Sequence, residues 1–197
     1  MTRTLLVITG ASRGFGRAVA QAFAETTGVT HCCLLARSRE GLAVTRQLMP
    51  PETTTSTHCL DLGNLDTLDA QLDEVLESFP TNVDKLIVIQ NAGTIGEISP
   101  VATATQSLQE WQQTVNLNVT SMFWTTRRFA QWAVQAQIPA ATLVNISSLV
   151  AIQAFPSMAL YSAGKAVRSV MFMFHTRDYL TPHLLTLDPY LFVTLGS

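Results

Sequence analysis

Charged side chains are scarce in this 197-residue chain, and lysine is the scarcest of them. Charged residues make up 13% of the sequence against 47% hydrophobic ones, the formal net charge at pH 7 is −2, and the only lysines are Lys85 and Lys165. We therefore expect neither the basic surface that binds nucleic acid nor an acidic tail. So little charge favours a buried sheet that is covered by helices on both faces.

Long apolar runs and paired cysteines are also missing from the sequence. No run approaches the roughly 18 residues of a membrane span, and the apolar residues 5–8 are too few for the core of a signal peptide. Cys32, Cys33 and Cys59 show no metal-ligand spacing and fall in strand-like runs, which favours reduced, buried thiols. The sequence thus predicts a cytoplasmic protein with no membrane partner and no metal site.

Strand-like and helical patterns alternate along the chain. Strands are predicted at 5–8, 32–36, 58–62, 86–89 and 142–146, and helices at 17–25, 39–48, 65–79, 108–137 and 161–175. The polar, threonine-rich stretch 52–57 is predicted to be a loop. Strands that alternate with helices of this length predict right-handed βαβ units and a parallel sheet. We therefore predict a single α/β domain over residues 1–197, with a Rossmann-like, doubly wound parallel sheet.

A glycine-rich segment follows the first predicted strand. Gly10, Gly14 and Gly16 stand between that strand and the first helix, where glycines let the backbone approach a pyrophosphate at the helix N-terminus. Their spacing differs from the common G-x-G-x-x-G, and a tight turn without a ligand is the alternative. An acidic residue at the end of the second strand would select NAD, but Arg37 stands there, and Arg13 adds a second positive charge. This arrangement favours NADP.

The carboxyl ends of four predicted strands supply the expected cofactor site, because ligands bind there in open parallel sheets. Asp61 and Leu62 end the third strand and can contact an adenine. Small residues after the fourth strand leave room for a ribose to pack closely. The predicted cofactor-binding residues on these four ends are Gly10, Ala11, Ser12, Arg13, Gly14, Phe15, Gly16, Arg37, Ser38, Asp61, Leu62, Asn91, Ala92 and Gly93.

Tyr161 and Lys165 stand four residues apart at the start of the last predicted helix, so that both lie on one helical face. An ammonium group near a phenol favours the phenolate and makes a tyrosine a usable proton donor near neutral pH. Ser148, just after the fifth predicted strand, can polarise a carbonyl oxygen. Taken singly, each residue fits an ordinary surface position. The three together, behind a glycine-rich loop, indicate an active site.

These motifs resemble those of the short-chain dehydrogenase/reductase family. The family pattern T-G-x-x-x-G-x-G matches Thr9 to Gly16, its N-A-G signature matches residues 91–93, and its serine, tyrosine and lysine match Ser148, Tyr161 and Lys165. The resemblance covers residues 4 to about 170. The family also has a structural asparagine that kinks its long helix and holds a proton-relay water. Asn118 is the best match for it, and Asn116 is the other candidate.

The resemblance implies an NADPH-dependent carbonyl reductase, and the residues around the motifs are most similar to members that reduce a pterin side-chain ketone in tetrahydrobiopterin biosynthesis. NADPH would give a hydride to the carbonyl carbon, Tyr161 a proton to the oxygen, and Ser148 a hydrogen bond to that oxygen. Lys165 would act on the tyrosine and hold the nicotinamide ribose. Ser148, Tyr161, Lys165 and Asn118 are therefore the expected catalytic residues. Tyr161 and Lys165 are also expected cofactor contacts, and Ser148 and Tyr161 expected substrate contacts.

Other interpretations of the resemblance remain open. The chain can be another short-chain carbonyl or hydroxysteroid reductase, or a catalytically inactive, truncated variant that binds NADP or pairs with a full-length partner. The family's dimer interfaces correspond to the helices at 108–137 and 161–175, which implies a homodimer. The match fades near residue 173, and residues 174–197 resemble no family element, so the family's C-terminal strands are expected to be missing or replaced. The run 190–195 is predicted to form a parallel strand beside the fifth strand.

Overall fold

A computed structural model describes the backbone of residues 2–26, 28–178 and 184–186, and the side chains of these residues up to Met171 except Thr26. Its strands are β1 (Thr4–Thr9), β2 (Val29–Ala36), β3 (Thr54–Cys59), β4 (Lys85–Gln90), β5 (Ala140–Asn145) and β6 (Leu184–Thr186). They form one sheet in the order β3-β2-β1-β4-β5-β6, and every neighbouring pair is parallel. The strand order reverses between β1 and β4, which places a crevice at the carboxyl ends of these strands.

Six α-helices accompany this sheet in the part of the chain that the structure describes. They are α1 (Gly14–Thr26), α2 (Arg39–Gln47), α3 (Leu65–Glu77), α4 (Leu108–Val115), α5 (Ser121–Gln135) and α6 (Ala159–Asp178). Successive side chains of a strand point to opposite faces, so β1, β2, β4 and β5 each serve two separate cores. Leu6 and Ile8 pack with α1 and α2 on one face, whereas Val7 packs with α3 and α5 on the other. The predicted doubly wound parallel sheet is thereby confirmed.

Strand β3 lies earlier in the chain than the predicted strand at 58–62. It spans Thr54–Cys59 and takes most of the stretch 52–57, whose polar composition predicts a loop. The β-branched threonines suit an extended backbone, and β3 has β2 as its one neighbour among the described strands. An edge strand needs no continuous apolar run, which is why the pattern misses it. Cys59 at its end is exposed, whereas Cys32 and Cys33 are buried as predicted.

The single long helix predicted at 108–137 is interrupted. It consists of α4, a π-helical turn over Asn116–Thr120, and α5. Ser107 and Glu110 form a reciprocal capping box at the start of α4, as the Ser-x-x-Glu spacing allows. A π turn inserts one residue into the helical repeat and is common at functional sites. No helix in the described ranges is long and apolar enough to cross a membrane.

A short parallel strand occupies the outer edge of β5. Its three residues, Leu184–Thr186, pair with residues 141–143 of β5. The strand predicted at 190–195 falls on residues that lie outside the described part of the chain. Half of β5 is therefore paired at this edge. The residues that pair with it, Leu184–Thr186, come earlier in the chain than the predicted run 190–195.

Candidate active site

A groove of about 620 Å³ lies at the carboxyl ends of β1, β2, β3 and β4. Thirteen of the fourteen cofactor-binding residues predicted on these strand ends line its wall, and Ala11 lies fully buried behind the wall. Lining residues beyond that prediction are Arg17, Ala36, Gly41, Leu60 and Leu117. The topology thus brings the four predicted segments together in one concave site.

The glycine-rich loop is folded tightly against the end of β4. Gly10 has a φ of 71°, in the region that favours glycine. A β-carbon at Gly16 would lie 2.3 Å from the Gly10 carbonyl oxygen, so no larger residue fits there. The Asn91 side-chain amide donates to the carbonyls of Thr9 (3.0 Å) and Gly10 (3.2 Å). Asn91 therefore holds the loop shape that opens the N-terminus of α1 to the groove.

A second set of contacts joins the glycine-rich loop to α2. Thr45 is fully buried, and its hydroxyl donates to the Ala11 carbonyl at 2.8 Å. Arg17 Nε donates to Thr45 Oγ1 at 3.0 Å, and its Nη2 donates to the Ser12 carbonyl. A β-carbon at Gly41 would lie 2.8 Å from Ser12 O. No sequence pattern indicates these residues, because their role depends on how closely α1 and α2 approach the loop.

The end of the groove at β2 and β3 carries exposed charges. Arg13 and Arg37 both line the wall, and Arg37 Nη1 lies 3.8 Å from Asp61 Oδ2. The other carboxylate oxygen of Asp61 accepts a hydrogen bond from the Gly63 N–H at 2.9 Å. Ser38 Oγ accepts from Gly41 N at 3.0 Å and caps α2. An anion at this end would meet the Arg37 guanidinium and the N-terminus of α2, with the Asp61 carboxylate beside them.

Tyr161 and Lys165 lie on α6, beside the groove rather than in its wall. Lys165 is 4% exposed, its Nζ donates to the Ile146 carbonyl at 2.7 Å, and it lies 5.6 Å from the centre of the Tyr161 ring. Ser148 begins the short 3₁₀ turn Leu149–Ala151, which packs against α6. Burial, with a smaller effect of Arg168, lowers the pKa of Lys165 to about 7. Tyr161 and Lys165 are thus brought together on α6, and Ser148 caps the turn that packs against this helix.

Asn118 lies in the π-helical turn with its side chain buried. Its Oδ1 accepts from the Thr94 N–H at 2.9 Å, and its Nδ2 donates to the Thr94 carbonyl at 2.7 Å. The other candidate, Asn116, accepts a hydrogen bond from the exposed Gln112 side chain. A β-carbon at Gly164, next to Lys165, would lie 3.3 Å from Asn118 Cβ. Asn118 is therefore the asparagine whose side chain lies against α6.

Two buried polar residues near the site are absent from the predicted set. Gln90 Nε2 donates to Thr125 Oγ1 at 2.9 Å and joins the end of β4 to α5. Arg168 Nη2 donates to the Ala92 carbonyl at 2.9 Å and joins α6 to the groove wall. Arg168 stands three residues after Lys165, and this helical spacing is the signal by which the sequence places it on the face of α6 that carries Tyr161 and Lys165.

Comparison with known proteins agrees with this geometry. The family model described as short chain dehydrogenase matches residues 4–184. The chain therefore belongs to the short-chain dehydrogenase family, whose members are oxidoreductases that act on alcohol and carbonyl groups.

Among curated proteins, the chain is similar to mammalian sepiapterin reductases. It is 33% identical to the Bos taurus enzyme over 195 residues, covering 95% of this chain and 72% of that protein. It is 35% identical to the Rattus norvegicus enzyme over 173 residues, covering 84% of this chain and 65% of that protein. The match thus spans about two thirds to three quarters of these relatives.

Solved structures show the same fold. A metagenomic short-chain oxidoreductase in complex with NADP superposes with a TM-score of 0.80 at 24% identity, covering 94% of this chain and 80% of that one. An NAD⁺-bound xylitol dehydrogenase also gives a TM-score of 0.80, at 21% identity, covering 93% of this chain and 67% of that one. The groove described above therefore belongs to a fold shared by proteins with either dinucleotide.

Proposed function

We propose that this chain is an NADPH-dependent carbonyl reductase of the sepiapterin reductase type, acting on the side-chain ketone of a pterin. The observation that carries the proposal is the buried ammonium of Lys165, held on the Ile146 carbonyl 5.6 Å from the centre of the Tyr161 ring. This pair adjoins a groove built from the glycine-rich loop and three further strand ends. Such an arrangement supplies a proton donor beside a dinucleotide site.

Each residue of the site has a definite task in this proposal. Tyr161 donates its phenolic proton to the substrate oxygen, which becomes the hydroxyl of the product. Ser148 donates a hydrogen bond to the same oxygen and stabilises the charge that develops on it. Lys165 lies beside the tyrosine ring and would hold the nicotinamide ribose of a bound cofactor. NADPH, when bound, supplies the hydride to the carbonyl carbon, so an alcohol and NADP⁺ are formed.

NADPH is the proposed cofactor because of the charge at the adenosine end of the groove. Arg13 and Arg37 line this end, and a carboxylate in the position of Arg37 would repel a 2′-phosphate. Asp61 lies 3.8 Å from Arg37, yet it also accepts the Gly63 N–H, which fixes its carboxylate in the turn after β3. Arg37 is therefore left with guanidinium donors for a phosphate on its other side.

Purified chain mixed with NADPH and sepiapterin tests the proposed activity. We expect NADPH absorbance at 340 nm to fall in step with the loss of sepiapterin, and expect slower turnover with NADH. A 3-ketosteroid serves as the competing substrate, because a 3beta-hydroxysteroid dehydrogenase from Mediterraneibacter gnavus is 28% identical over 178 residues. Faster reduction of the steroid would contradict the pterin assignment. Tight NADPH binding without turnover of either substrate would favour an inactive, dinucleotide-binding variant.

We also propose a homodimer through the helices α4, α5 and α6. Phe123 and Val134 of α5 and Val167 and Val170 of α6 are exposed apolar residues, and those on α5 lie three turns apart on one face. Phe123→Glu should convert a dimer to monomers in sedimentation velocity, because it places a charge in the apolar contact. Phe155→Glu alters an exposed phenylalanine outside these helices and should leave the dimer intact. A monomeric wild-type chain at micromolar concentration would contradict the proposal.

The cytoplasm is the proposed location. Cys32 and Cys33 are adjacent, buried and unpaired, and Cys59 is exposed and also free. Free thiols are compatible with a reducing compartment. Burial raises the pKa of the Cys32 thiol above its ordinary value, so that it stays protonated and unreactive.

A further inference from the structure

An arginine side chain is buried beside the catalytic pair without a countercharge among the described residues. Arg168 lies on α6 and is 1% exposed. Its Nη2 donates to the Ala92 carbonyl at 2.9 Å, while its Nε and Nη1 have no hydrogen-bond partner in the described part of the chain. None of the ion pairs formed there includes Arg168. Among the described residues, the Ala92 carbonyl is thus the single hydrogen-bond acceptor for the buried guanidinium of Arg168.

Packing alone does not account for a positive charge at this position. An unbranched apolar side chain such as methionine would fill similar space without the cost of removing a guanidinium from water. Met171, one turn further along α6, packs against the core in that way. Buried polar atoms that lack partners are rare in native proteins and are often kept at functional positions. Arg168 therefore calls for an explanation based on its charge.

Arg168 shares its face of α6 with Lys165, which stands three residues earlier. Residues three apart share a helical face, so two buried cations lie one turn apart on the face that also carries Tyr161. Lys165 Nζ is held by the Ile146 carbonyl at 2.7 Å. Like charges this close oppose each other's charged form, most strongly where water is excluded.

Within the ranges that the structure describes, the elements packed against this face supply no acid that would compensate the two cations. Strands β5 and β6, the π-helical turn and the 3₁₀ turn carry no ionisable side chain. Glu110 of α4 caps its own helix at the surface, and Glu97 binds the backbone of an exposed loop. Among the described residues, Tyr161 is thus the other titratable group of this cluster.

We propose that Arg168 is a positioning residue of the active site, whose buried, unpaired charge adds to burial in opposing the charged form of Lys165 while the site contains no dinucleotide. Burial lowers the pKa of Arg168 to about 10, so the guanidinium stays charged at neutral pH. Burial together with Arg168 lowers the pKa of Lys165 to about 7. Under the proposed function, ribose hydroxyls that accept from Lys165 would favour its ammonium form, and dinucleotide binding would then take up a proton from solvent.

The chain's two lysines make a direct test practical. Protein with ¹³Cε-labelled lysine has one signal for Lys85 and one for Lys165, and Lys85→Arg identifies them. We expect the Lys165 signal of the cofactor-free chain to titrate near pH 7. Arg168→Met should raise that midpoint by about one pH unit or more, since a like charge is removed. Arg127→Met removes an exposed arginine of α5 and should leave the midpoint unchanged.

Arg168→Gln provides a second variant with a donor for the Ala92 carbonyl but without the charge, and it should shift the midpoint in the same direction. An unchanged Lys165 midpoint in a folded Arg168→Met or Arg168→Gln variant would overturn the proposal and leave burial as the sole cause. An equal shift in Arg127→Met would overturn it as well. Because the titration needs no cofactor, it is independent of the proposed function. NADPH added to wild type should move the midpoint upwards, and failure of that step alone would count against the dinucleotide site.

Discussion

Replacement of Tyr161 by phenylalanine should reduce the rate of carbonyl reduction by about a thousandfold or more, while the affinity for NADPH stays nearly unchanged. The phenylalanine ring keeps the shape and the packing of the tyrosine but has no proton to give to the substrate oxygen. Lys165 then faces a ring without a hydroxyl, and Ser148 alone can donate to the substrate. The measurement is the single-turnover rate of NADPH oxidation with sepiapterin, beside an NADPH titration followed by fluorescence.

Lys165→Ala separates the role of Tyr161 as proton donor from the role of Lys165, which is expected to act on both Tyr161 and NADPH. Its Nζ is held by the Ile146 carbonyl beside the Tyr161 ring, so its loss should weaken NADPH binding as well as the rate. A Tyr161→Phe variant that keeps most of the wild-type rate would show that another group supplies the proton. A Tyr161→Phe variant that loses NADPH binding to the same degree as Lys165→Ala would show that the tyrosine acts mainly on the cofactor.

Arg37→Asp should weaken NADPH binding by about thirtyfold to a hundredfold, and NADH binding far less. The substitution removes a guanidinium from the adenosine end of the groove and sets a carboxylate against the 2′-phosphate. It also brings two carboxylates together, because Asp61 lies 3.8 Å from the guanidinium of Arg37. The Arg37 side chain is 65% exposed, so the difference between the cofactors should shrink at high salt. Titration calorimetry at two ionic strengths measures both effects.

Arg39→Asp is the matched control for this charge reversal. Arg39→Asp changes the net charge by the same amount as Arg37→Asp, two residues further along the chain. Arg39 lines pockets outside the dinucleotide groove. We expect it to leave the preference between the two cofactors unaltered. Equal weakening of NADPH and NADH by Arg37→Asp would contradict the assignment of a 2′-phosphate site.

The parallel sheet could be predicted because its central strands are buried on both faces. Leu5, Leu6, Val7 and Ile8 are all fully buried, and such a run has few interpretations other than a strand between two helical layers. Strand β3 could not be predicted in its register, since an edge strand of threonines looks like a loop until β2 pairs with it. The resemblance implied a kink of the long helix at an asparagine, with Asn118 the better match, and the π turn Asn116–Thr120 lies at that place. The contact of Asn118 with Thr94, by contrast, depends on the fold and could not be predicted.

The glycine-rich loop and the Tyr161–Lys165 spacing were predictable because both depend on local geometry. The loop needs residues without a β-carbon, and the Tyr161–Lys165 pair needs a spacing of four residues on a helix. Arg168, Thr45 and Gln90 depend on long-range contacts, and each is a polar residue whose partner lies at least 34 positions away in sequence. Whether such a residue is buried is decided by tertiary packing, which periodicity alone does not reveal.

The contact between α2 and the glycine-rich loop limits how the dinucleotide preference of this chain can be altered. Thr45, Gly41 and Arg17 join the helix that follows Arg37 to the carbonyls of Ala11 and Ser12. A substitution that moves α2 therefore also moves the backbone that would surround a pyrophosphate. Engineering of cofactor choice is thus best confined to side chains that point into solvent, such as those of Arg13 and Arg37, while positions 41 and 45 are kept as they are.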